Sequence, residues 1–131
     1  MIVGSGIDVI EIARIEGVLD RAGARFLRRV FTPQEIATCE SRRRQAPHLA
    51  VRFAAKEAVM KAIGTGWAEG VRWVDIETLP GTGYSSERLR LRLHGRAAEH
   101  AARRGGLRSH LAVSRSRTHA MAVVLLEDRP A

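Results

Sequence analysis

The strongest structural signal in this chain is an alanine-rich segment near its middle. Residues 48–63 include five alanines, and Gly64 follows them directly. Alanine has the highest helix propensity of the amino acids, and glycine is the most common residue immediately after a helix end. The pattern therefore predicts a long helix over residues 48–63 that ends at Gly64.

The segments on both sides of this helix predict a single α+β domain over residues 1–131. The predicted strands are residues 1–10, 71–79, 88–93, 110–116 and 119–127, and the other predicted helices are residues 11–19, 24–30 and 95–104, with a break at Gly23 and a turn at 81–83. Thr32, Pro33 and Glu35 have the spacing of a capping box and predict the start of a further helix. We expect a mostly antiparallel sheet packed against the long central helix and the shorter helices.

Composition makes several classes of protein improbable. Apolar residues make up 45% of the chain, which is ordinary for a globular domain. The longest apolar run, residues 120–126, is too short to cross a bilayer, and the first residues do not have the pattern of a secretory leader. Cys39 is the sole cysteine and cannot form an internal disulfide. We therefore expect a cytoplasmic domain without membrane contact.

The charge of the chain points to an anionic partner. Twenty-two basic residues against fourteen acidic residues leave a formal net charge of +8. Such a balance favours nucleic acid, an acidic protein or a phosphate-rich small molecule, and charge alone does not choose among them. Aromatic residues make up only 5% of the chain, which does not favour a base-stacking surface. The only lysines are Lys56 and Lys61, and all the other Lys and Arg positions are arginine.

Three charged residues are candidates for chemistry. Asp8 ends an otherwise apolar strand, where it either caps the following helix or belongs to a site. Glu57 and Lys61 are four residues apart, a spacing typical of an ordinary surface ion pair on a helix. The neighbours of Glu57 are small and apolar, so its carboxylate is either half exposed or paired with a positive group. Asp8 and Glu57 together could hold Mg²⁺, which takes one or two carboxylates with substrate phosphates and water.

A row of arginines follows the first strand. Arg14, Arg21, Arg25 and Arg28 are separated by seven, four and three residues and share one face if the two predicted helices are nearly continuous. This face is either simply solvated or docks onto an acidic helix of a partner protein.

Three motifs in order resemble those of one known family. They are residues 6–16 (GIDVIEIARIE), residues 31–35 (FTPQE), and residues 52–58 (RFAAKEA) with 61–66 (KAIGTG). They closely resemble holo-acyl-carrier-protein synthase, the small bacterial type of 4′-phosphopantetheinyl transferase, and the resemblance covers nearly the whole chain. One departure lies near the C-terminus. Many relatives have Ser-x-Ser-His-Thr there, whereas this chain reads Val113-Ser114-Arg115-Ser116-Arg117-Thr118-His119.

The resemblance implies a phosphopantetheinyl transfer reaction. The family moves 4′-phosphopantetheine from coenzyme A to a serine of an acyl carrier protein and releases adenosine 3′,5′-bisphosphate. Carried over by position, Asp8 and Glu57 are the ligands of Mg²⁺, and Lys61 adds positive charge at the phosphates. Either Glu57 or a metal-held water accepts the proton of the carrier serine. The carrier protein of either fatty acid or polyketide synthesis is a possible substrate.

The resemblance also implies binding roles and an assembly. Lys56, Gly64, Thr65 and His110 match positions along the coenzyme A site, and Arg14, Arg21, Arg25 and Arg28 match the region that docks the carrier protein. Family members are typically homotrimers with active sites between subunits. Two other hypotheses remain at this point, a small basic nucleic-acid-binding protein and a catalytically idle relative that binds carrier protein without consuming coenzyme A. The resemblance favours an acidic protein partner over nucleic acid.

Overall fold

Five strands and four α-helices make up the residues described by the computed structural model, which are 1–64, 70–81 and 88–129. The strands are β1 (Ile2–Glu11), β2 (Ile76–Pro80), β3 (Leu89–Leu93), β4 (Leu107–Arg115) and β5 (His119–Asp128). The helices are α1 (Ile12–Val30), α2 (Pro33–Glu40), α3 (Gln45–Ile63) and α4 (Gly95–Arg103), with a short 3-10 helix at Trp73–Asp75. The α+β prediction is confirmed. Most of the predicted turn at 81–83 lies outside the described residues.

A three-stranded antiparallel sheet in the order β1-β5-β4 carries helix α3 on one face. Ala122 of β5 lies opposite Asp8 of β1 on one side and opposite Val113 of β4 on the other. Strands β2 and β3 form a separate antiparallel pair. Because side chains alternate between the two faces of a strand, every second residue of β5, beginning with Ala120, is buried against α3.

The opposite face of the three-stranded sheet is apolar and open in the single chain. Its exposed members include Ile7 and Val9 of β1 and Met121 and Leu125 of β5. Their exposed fractions lie between 39 and 54%, which is high for large apolar side chains in the middle of a sheet. A contiguous apolar face of this kind is typical of an interaction surface.

Strand β1 packs unusually close to α3 because two of its inward positions are glycine. A Cβ atom at Gly4 would overlap the carbonyl oxygen of Ala62, and one at Gly6 would overlap the carbonyl oxygen of Ala58. Backbone therefore meets backbone along this contact, with alanine on the helix and glycine on the strand. The close approach brings the β1 residues that follow Gly6 next to the C-terminal half of α3.

Helix α3 begins earlier than the sequence predicts. It starts at Gln45, and Pro47 lies in its first turn. Proline is compatible with that position because the first backbone N–H groups of a helix have no intrahelical acceptor. The C-terminal end agrees with the prediction. Gly64 is left-handed with a φ of 75° and donates its N–H to the Met60 carbonyl oxygen at 3.1 Å.

Two further elements differ from their predicted boundaries. The two predicted helices at 11–19 and 24–30 are one helix, α1, with a kink at Ala22, whose φ of −145° and ψ of 30° are not helical. The strand predicted over 71–79 begins only at Ile76, because the Asp75 carboxylate accepts a hydrogen bond from the Arg72 N–H at 2.9 Å and closes a 3-10 turn. The capping box at the start of α2 is confirmed, with Thr32 and Glu35 bonded reciprocally.

Candidate active site

Asp8 and Lys61 meet where β1 crosses α3. Strand β1 continues to Glu11, so Asp8 lies inside the strand and does not cap α1, which corrects the capping alternative. The Lys61 ammonium donates to Asp8 Oδ1 at 3.0 Å and to the carbonyl oxygen of Ile7 at 2.9 Å. The Asp8 side chain is 17% exposed and the Lys61 side chain is 53% exposed, so the pair lies at the edge of the protein surface.

Glu57 lies one helical turn before Lys61, and its carboxyl interacts electrostatically with Asp8. Burial raises the pKa of its carboxyl, the negative charge of Asp8 raises it further, and the Lys61 ammonium acts in the opposite direction. The side chain is half-buried. The spacing of Glu57 and Lys61 suggested a simple ion pair on the helix surface. In the structure, Lys61 instead donates to Asp8 on the neighbouring strand. The two carboxylates therefore lie near enough to interact electrostatically across the contact of β1 and α3.

This pair of carboxylates fits a hard divalent cation that is shared with a substrate. Asp8 and Glu57 are oxygen donors on two rigid elements, and their mutual repulsion is relieved by added positive charge. Within residues 1–64, 70–81 and 88–129, no three His, Cys, Asp or Glu side chains come together as a complete metal-ligand set. Mg²⁺ does not require such a set, because it usually binds through one or two carboxylates and takes its remaining ligands from phosphates and water.

Lys56 is in the core, although the resemblance placed it beside coenzyme A. Its side chain is fully buried, and its ammonium donates to Glu35 Oε1 at 2.7 Å and to the carbonyl oxygens of Ile76 and Trp73 at 2.6 and 3.2 Å. Burial lowers the pKa of Lys56, and the Glu35 charge opposes that shift. In the folded chain the ammonium is sealed from solvent. We therefore assign Lys56 a structural role, which corrects its expected place along a ligand channel.

The Lys56 ion pair continues into a polar network that joins α2 to the β2–β3 pair. Glu35 also accepts hydrogen bonds from the backbone N–H of Thr32 and from the N–H and hydroxyl of Thr78. The Thr32 hydroxyl donates to Glu77 Oε2 at 2.7 Å, and Glu77 Oε1 lies 3.0 Å from Nε2 of His94. The network positions α3 relative to its neighbours.

A second group of charges surrounds a cavity of about 270 Å³ on the other side of α3. The lining residues are Arg42, His48, Val51, Arg52, Leu89, Val113, Ser114 and Arg115. Arg52 is only 7% exposed and donates to the carbonyl oxygen of His48 at 3.0 Å, a bond within its own helix. Three arginines around one cavity favour an anionic ligand. Arg115, which comes from the strand with the altered motif, is one of them.

The carboxylate pair and the basic cavity lie apart in one chain. Arg52 and Glu57 are five residues apart on α3, a rotation of about 140° around the helix axis. Val113 lies two strands from Asp8, because Ala122 of the central strand is opposite both, and two strand spacings amount to roughly 10 Å. The carboxylates are therefore at the β1 edge of the sheet and the cavity is at the β4 edge.

A family model described as the 4′-phosphopantetheinyl transferase superfamily matches residues 4–124. The chain belongs to this family. Among similar proteins, a holo-[acyl-carrier-protein] synthase of Koribacter versatilis is 48% identical over 128 residues, which cover 98% of this chain and 100% of the relative. The resemblance of the three sequence motifs is thereby confirmed over nearly the full length, and the chain is a phosphopantetheinyl transferase by family.

Solved structures of the same family share the fold. A holo-[acyl-carrier-protein] synthase from Neisseria meningitidis has a TM-score of 0.84 at 29% identity, covering 98% of this chain and 100% of that chain. A holo-(acyl-carrier-protein) synthase from Bacillus anthracis, crystallised in complex with CoA (3′,5′-ADP), has a TM-score of 0.78 at 35% identity, covering 98% and 99% of the two chains. The α+β architecture is therefore the fold of this family.

The other site residues expected from the family lie in three places. Gly64 ends α3 one turn from Met60, and Thr65 lies outside the described residues. His110 is on the open apolar face of the sheet, opposite Leu125, with Nε2 at 3.5 Å from Glu127 Oε2. The four expected docking arginines, Arg14, Arg21, Arg25 and Arg28, are all exposed along α1.

The basic cavity is the part of the site that sequence reasoning missed. Its residues come from the segment before α3, from α3 itself and from β3 and β4, so their proximity depends on the tertiary fold. One signal was available, because Arg52 interrupts the small and apolar residues of the predicted helix. No helix in the described parts of the chain is long and apolar enough to span a membrane.

Proposed function

We propose that this chain transfers 4′-phosphopantetheine from coenzyme A to a serine of an apo-acyl carrier protein, with Mg²⁺ as the cofactor. The observation that carries the proposal is the meeting of Asp8, Glu57 and Lys61 where β1 crosses α3, in a member of the transferase family. The serine oxygen forms a new bond to the phosphorus that bears pantetheine. The bond from that phosphorus to adenosine 3′,5′-bisphosphate breaks, and the serine loses its proton.

The chain's own residues supply binding and charge to this reaction. Asp8 and Glu57 would hold the metal ion, which would supply positive charge to neutralise and orient the pyrophosphate. Lys61 lies one turn from Glu57 and adds a positive charge for the same phosphates. Asp8 and Glu57 are attached to backbones in direct contact, so the separation of the two backbones is fixed before substrate arrives.

The basic cavity supports binding of the remaining phosphate charge of coenzyme A. Coenzyme A carries a pyrophosphate and a separate 3′-phosphate, so it needs positive charge at two places. Arg42, Arg52 and Arg115 surround a cavity of about 270 Å³, which is large enough for a phosphate group with part of a nucleoside. In a single chain this cavity is at the sheet edge opposite to Asp8, so we propose that one coenzyme A lies between two copies of the chain.

A homotrimer would bring the two edges together and cover the open apolar face. In a cyclic trimer the β1 edge of one copy meets a different surface of the next copy, as a heterologous contact requires. The exposed apolar residues of the sheet, Ile7, Val9, Met121 and Leu125, supply the apolar area for such an interface. His110 lies on the same face and would be at the boundary between copies.

The arginine row of α1 supports docking of an acidic carrier protein. Arg14, Arg21, Arg25 and Arg28 are exposed, and the half-buried Phe26 and Leu27 lie between two of them. Rows of arginine at helical spacing form charge-assisted hydrogen bonds with carboxylates of a partner helix. The net charge of +8 is then explained by two anionic substrates, the carrier protein and coenzyme A.

The experiment that tests the function is intact-mass spectrometry of an apo-acyl carrier protein after incubation with this protein, coenzyme A and Mg²⁺. We expect a mass gain of one phosphopantetheine that disappears when EDTA is added. Carrier proteins of fatty acid and polyketide synthesis are tested in parallel, because either class could be the substrate. No mass gain with either carrier would contradict the transferase proposal and leave a carrier-binding protein without activity.

The matched variant is Glu57→Gln, which keeps the shape of the side chain and removes its charge. We expect it to remain folded and to lose at least about a hundredfold in turnover, because one of two metal ligands is lost. Glu40→Gln, a change at an exposed carboxylate on α2, is the control and retains full turnover. Turnover of Glu57→Gln equal to that of the unchanged protein would refute the metal assignment.

A further inference from the structure

The Lys61 ammonium lies directly on one of the two carboxylates of the proposed metal site. It donates to Asp8 Oδ1 at 3.0 Å and to the carbonyl oxygen of Ile7 at 2.9 Å, both on β1. Among the described residues, it is the only cationic group within 4.0 Å of either Asp8 or Glu57. The positive charge that the two carboxylates need is therefore supplied by the chain itself.

We infer that Lys61 acts as a built-in counter-ion that exchanges with the divalent cation, holding Asp8 while the metal site is empty and moving to substrate phosphate when the metal binds. The inference rests on the metal site of the proposed function. An ammonium in contact with Oδ1 and a divalent cation bound to the same carboxylate repel each other, so close contact of both is unfavourable. The Lys61 side chain is half exposed and has four rotatable bonds, so the ammonium can move without a change in backbone conformation.

The exchange has a thermodynamic consequence. If Lys61 leaves Asp8 when the metal binds, an anion that attracts Lys61 also favours metal binding, and the two affinities change by the same factor. Coenzyme A and Mg²⁺ would then bind with positive coupling through Lys61, in addition to any direct contact between phosphate and metal. Lys61 would compete with the metal for Asp8 and would be a contact residue for the phosphate.

The composition of the chain provides a direct observation of this exchange. Lys56 and Lys61 are the only lysines, so protein labelled with ¹³C at lysine Cε gives two side-chain signals in an NMR spectrum. Lys56 is sealed in the core and serves as an internal reference. We expect Mg²⁺ to move the Lys61 signal and leave the Lys56 signal in place. Lys61→Arg assigns the signals by removing one of them.

Metal affinity gives a second and independent readout. Binding of Mn²⁺, measured by electron paramagnetic resonance without coenzyme A, should become about threefold tighter in Lys61→Met, because the competing ammonium is gone. The same variant, loaded with Mn²⁺, should bind adenosine 3′,5′-bisphosphate several-fold more weakly. Arg96→Met removes the same charge from an exposed pair with Glu99 and is the matched control for net charge.

The outcomes separate this inference from the proposed function. Opposite changes in metal and nucleotide affinity, with a moving Lys61 signal, support the exchange. If Mn²⁺ binds, Glu57→Gln weakens that binding, and the Lys61 signal does not move at saturation, the exchange is refuted and the metal site stands. If the unchanged protein does not bind Mn²⁺ at all, both the metal site and the exchange are refuted.

Discussion

The two lysines of this chain show how far the surroundings determine what one residue type does. Lys56 and Lys61 are five residues apart on the same helix, yet Lys56 is completely buried and Lys61 is half exposed. Lys56 joins α3 to α2 and to the β2 region, whereas Lys61 joins α3 to Asp8. Lys56 therefore stabilises the fold, and Lys61 is part of the candidate site.

Replacing Lys56 by Met should destabilise the protein by about 3–5 kcal/mol, because it leaves the Glu35 carboxylate buried without its partner. Urea unfolding measures the loss. The double variant Lys56→Met with Glu35→Gln should recover part of it, since no unpaired charge then remains in the core. Lys61→Met is the matched control and should change stability by less than about 1 kcal/mol. Equal losses for both lysines would contradict the assignment of Lys56 to the core.

Glu77 makes the stability of the fold dependent on pH. Burial acts to raise the pKa of its carboxyl, but hydrogen bonds from Thr32 and His94 outweigh burial and hold the pKa below its ordinary value of 4.5. A carboxyl with a depressed pKa in the folded state stabilises the fold above its ordinary pKa, and that contribution is lost as pH falls through the depressed value. Glu77→Gln should therefore cost about 1 kcal/mol at neutral pH.

The cost of Glu77→Gln should shrink when thermal unfolding is repeated at pH values from 4.5 down to below the depressed pKa, because the carboxyl of the unfolded chain is protonated first and the native carboxyl follows. Glu40→Gln, which changes an exposed carboxylate, serves as the control and should behave like the unchanged protein throughout. A cost for Glu77→Gln that is equal at both pH values would show that charge is irrelevant to its role.

At the scale of elements, the position of the site depends on how closely β1 packs on α3. Gly6 lies against the carbonyl oxygen of Ala58, one residue after Glu57, and Asp8 is the next inward residue of the strand. A larger side chain at Gly6 would push the strand outward from the helix. The glycine therefore controls the separation between the two elements that carry the carboxylates.

Gly6→Ala should destabilise the protein by about 2–3 kcal/mol or more, since the new methyl group meets backbone that cannot rotate away. Gly23→Ala is the matched control, because it adds the same methyl group to α1, where nothing lies within 4 Å. The control should be neutral or stabilise the helix by as much as about 1 kcal/mol. Chemical unfolding of the two variants measures the contrast, and a tolerated Gly6→Ala would refute the close packing.

Local signals in the sequence predict most elements, and tertiary contacts explain the exceptions. The capping box at Thr32 and the left-handed Gly64 depend on neighbours within four residues, so the sequence alone reveals them. Asp8 looks like a cap because helical spacing begins after it, but pairing with β5 extends the strand to Glu11. Strand β2 starts late because Asp75 closes a turn before it. The apolar residues of that turn follow the same pattern as those of a strand, so the sequence does not distinguish the two.

At the scale of the whole molecule, the proposed active site needs two copies of the chain. We expect Asp8→Asn and Arg52→Gln to be nearly inactive as separate proteins. When the two are unfolded together and refolded as a mixture, about a quarter of the sites should contain both native residues, contributed by different subunits of a cyclic trimer. Carrier-protein modification measures the recovered activity, and light scattering measures the trimer mass.

Recovery distinguishes a shared site from a site within one chain. If each chain formed a complete site, every site in the mixture would carry one substitution and the activity would stay near zero. Asp8→Asn mixed with Glu57→Gln is the control, because both residues belong to the same edge of the sheet and no hybrid site contains the native pair. Recovery in that control would contradict the division of the site between the β1 and β4 edges.

The site was predictable from sequence only where a family motif contains its residues. Their oxygen ligands suggested that Asp8 and Glu57 could share Mg²⁺, and the resemblance added Lys61 and assigned the roles. The contact between β1 and α3 explains why the residues meet. The cavity around Arg52 and Arg115 depends on two residues more than sixty positions apart. Residue spacing carries no information about such a pair.

The glycine and alanine contact between β1 and α3 has a consequence for motion within the site. Glycine and alanine have no side-chain rotamers, so this interface loses no side-chain entropy when it forms, and it has no alternative packing to adopt. The backbone segments that carry Asp8 and Glu57 therefore move together as one unit. Thermal fluctuation at the site reduces to rotation of three side chains, and the backbone distance between the carboxylates persists until strand and helix separate.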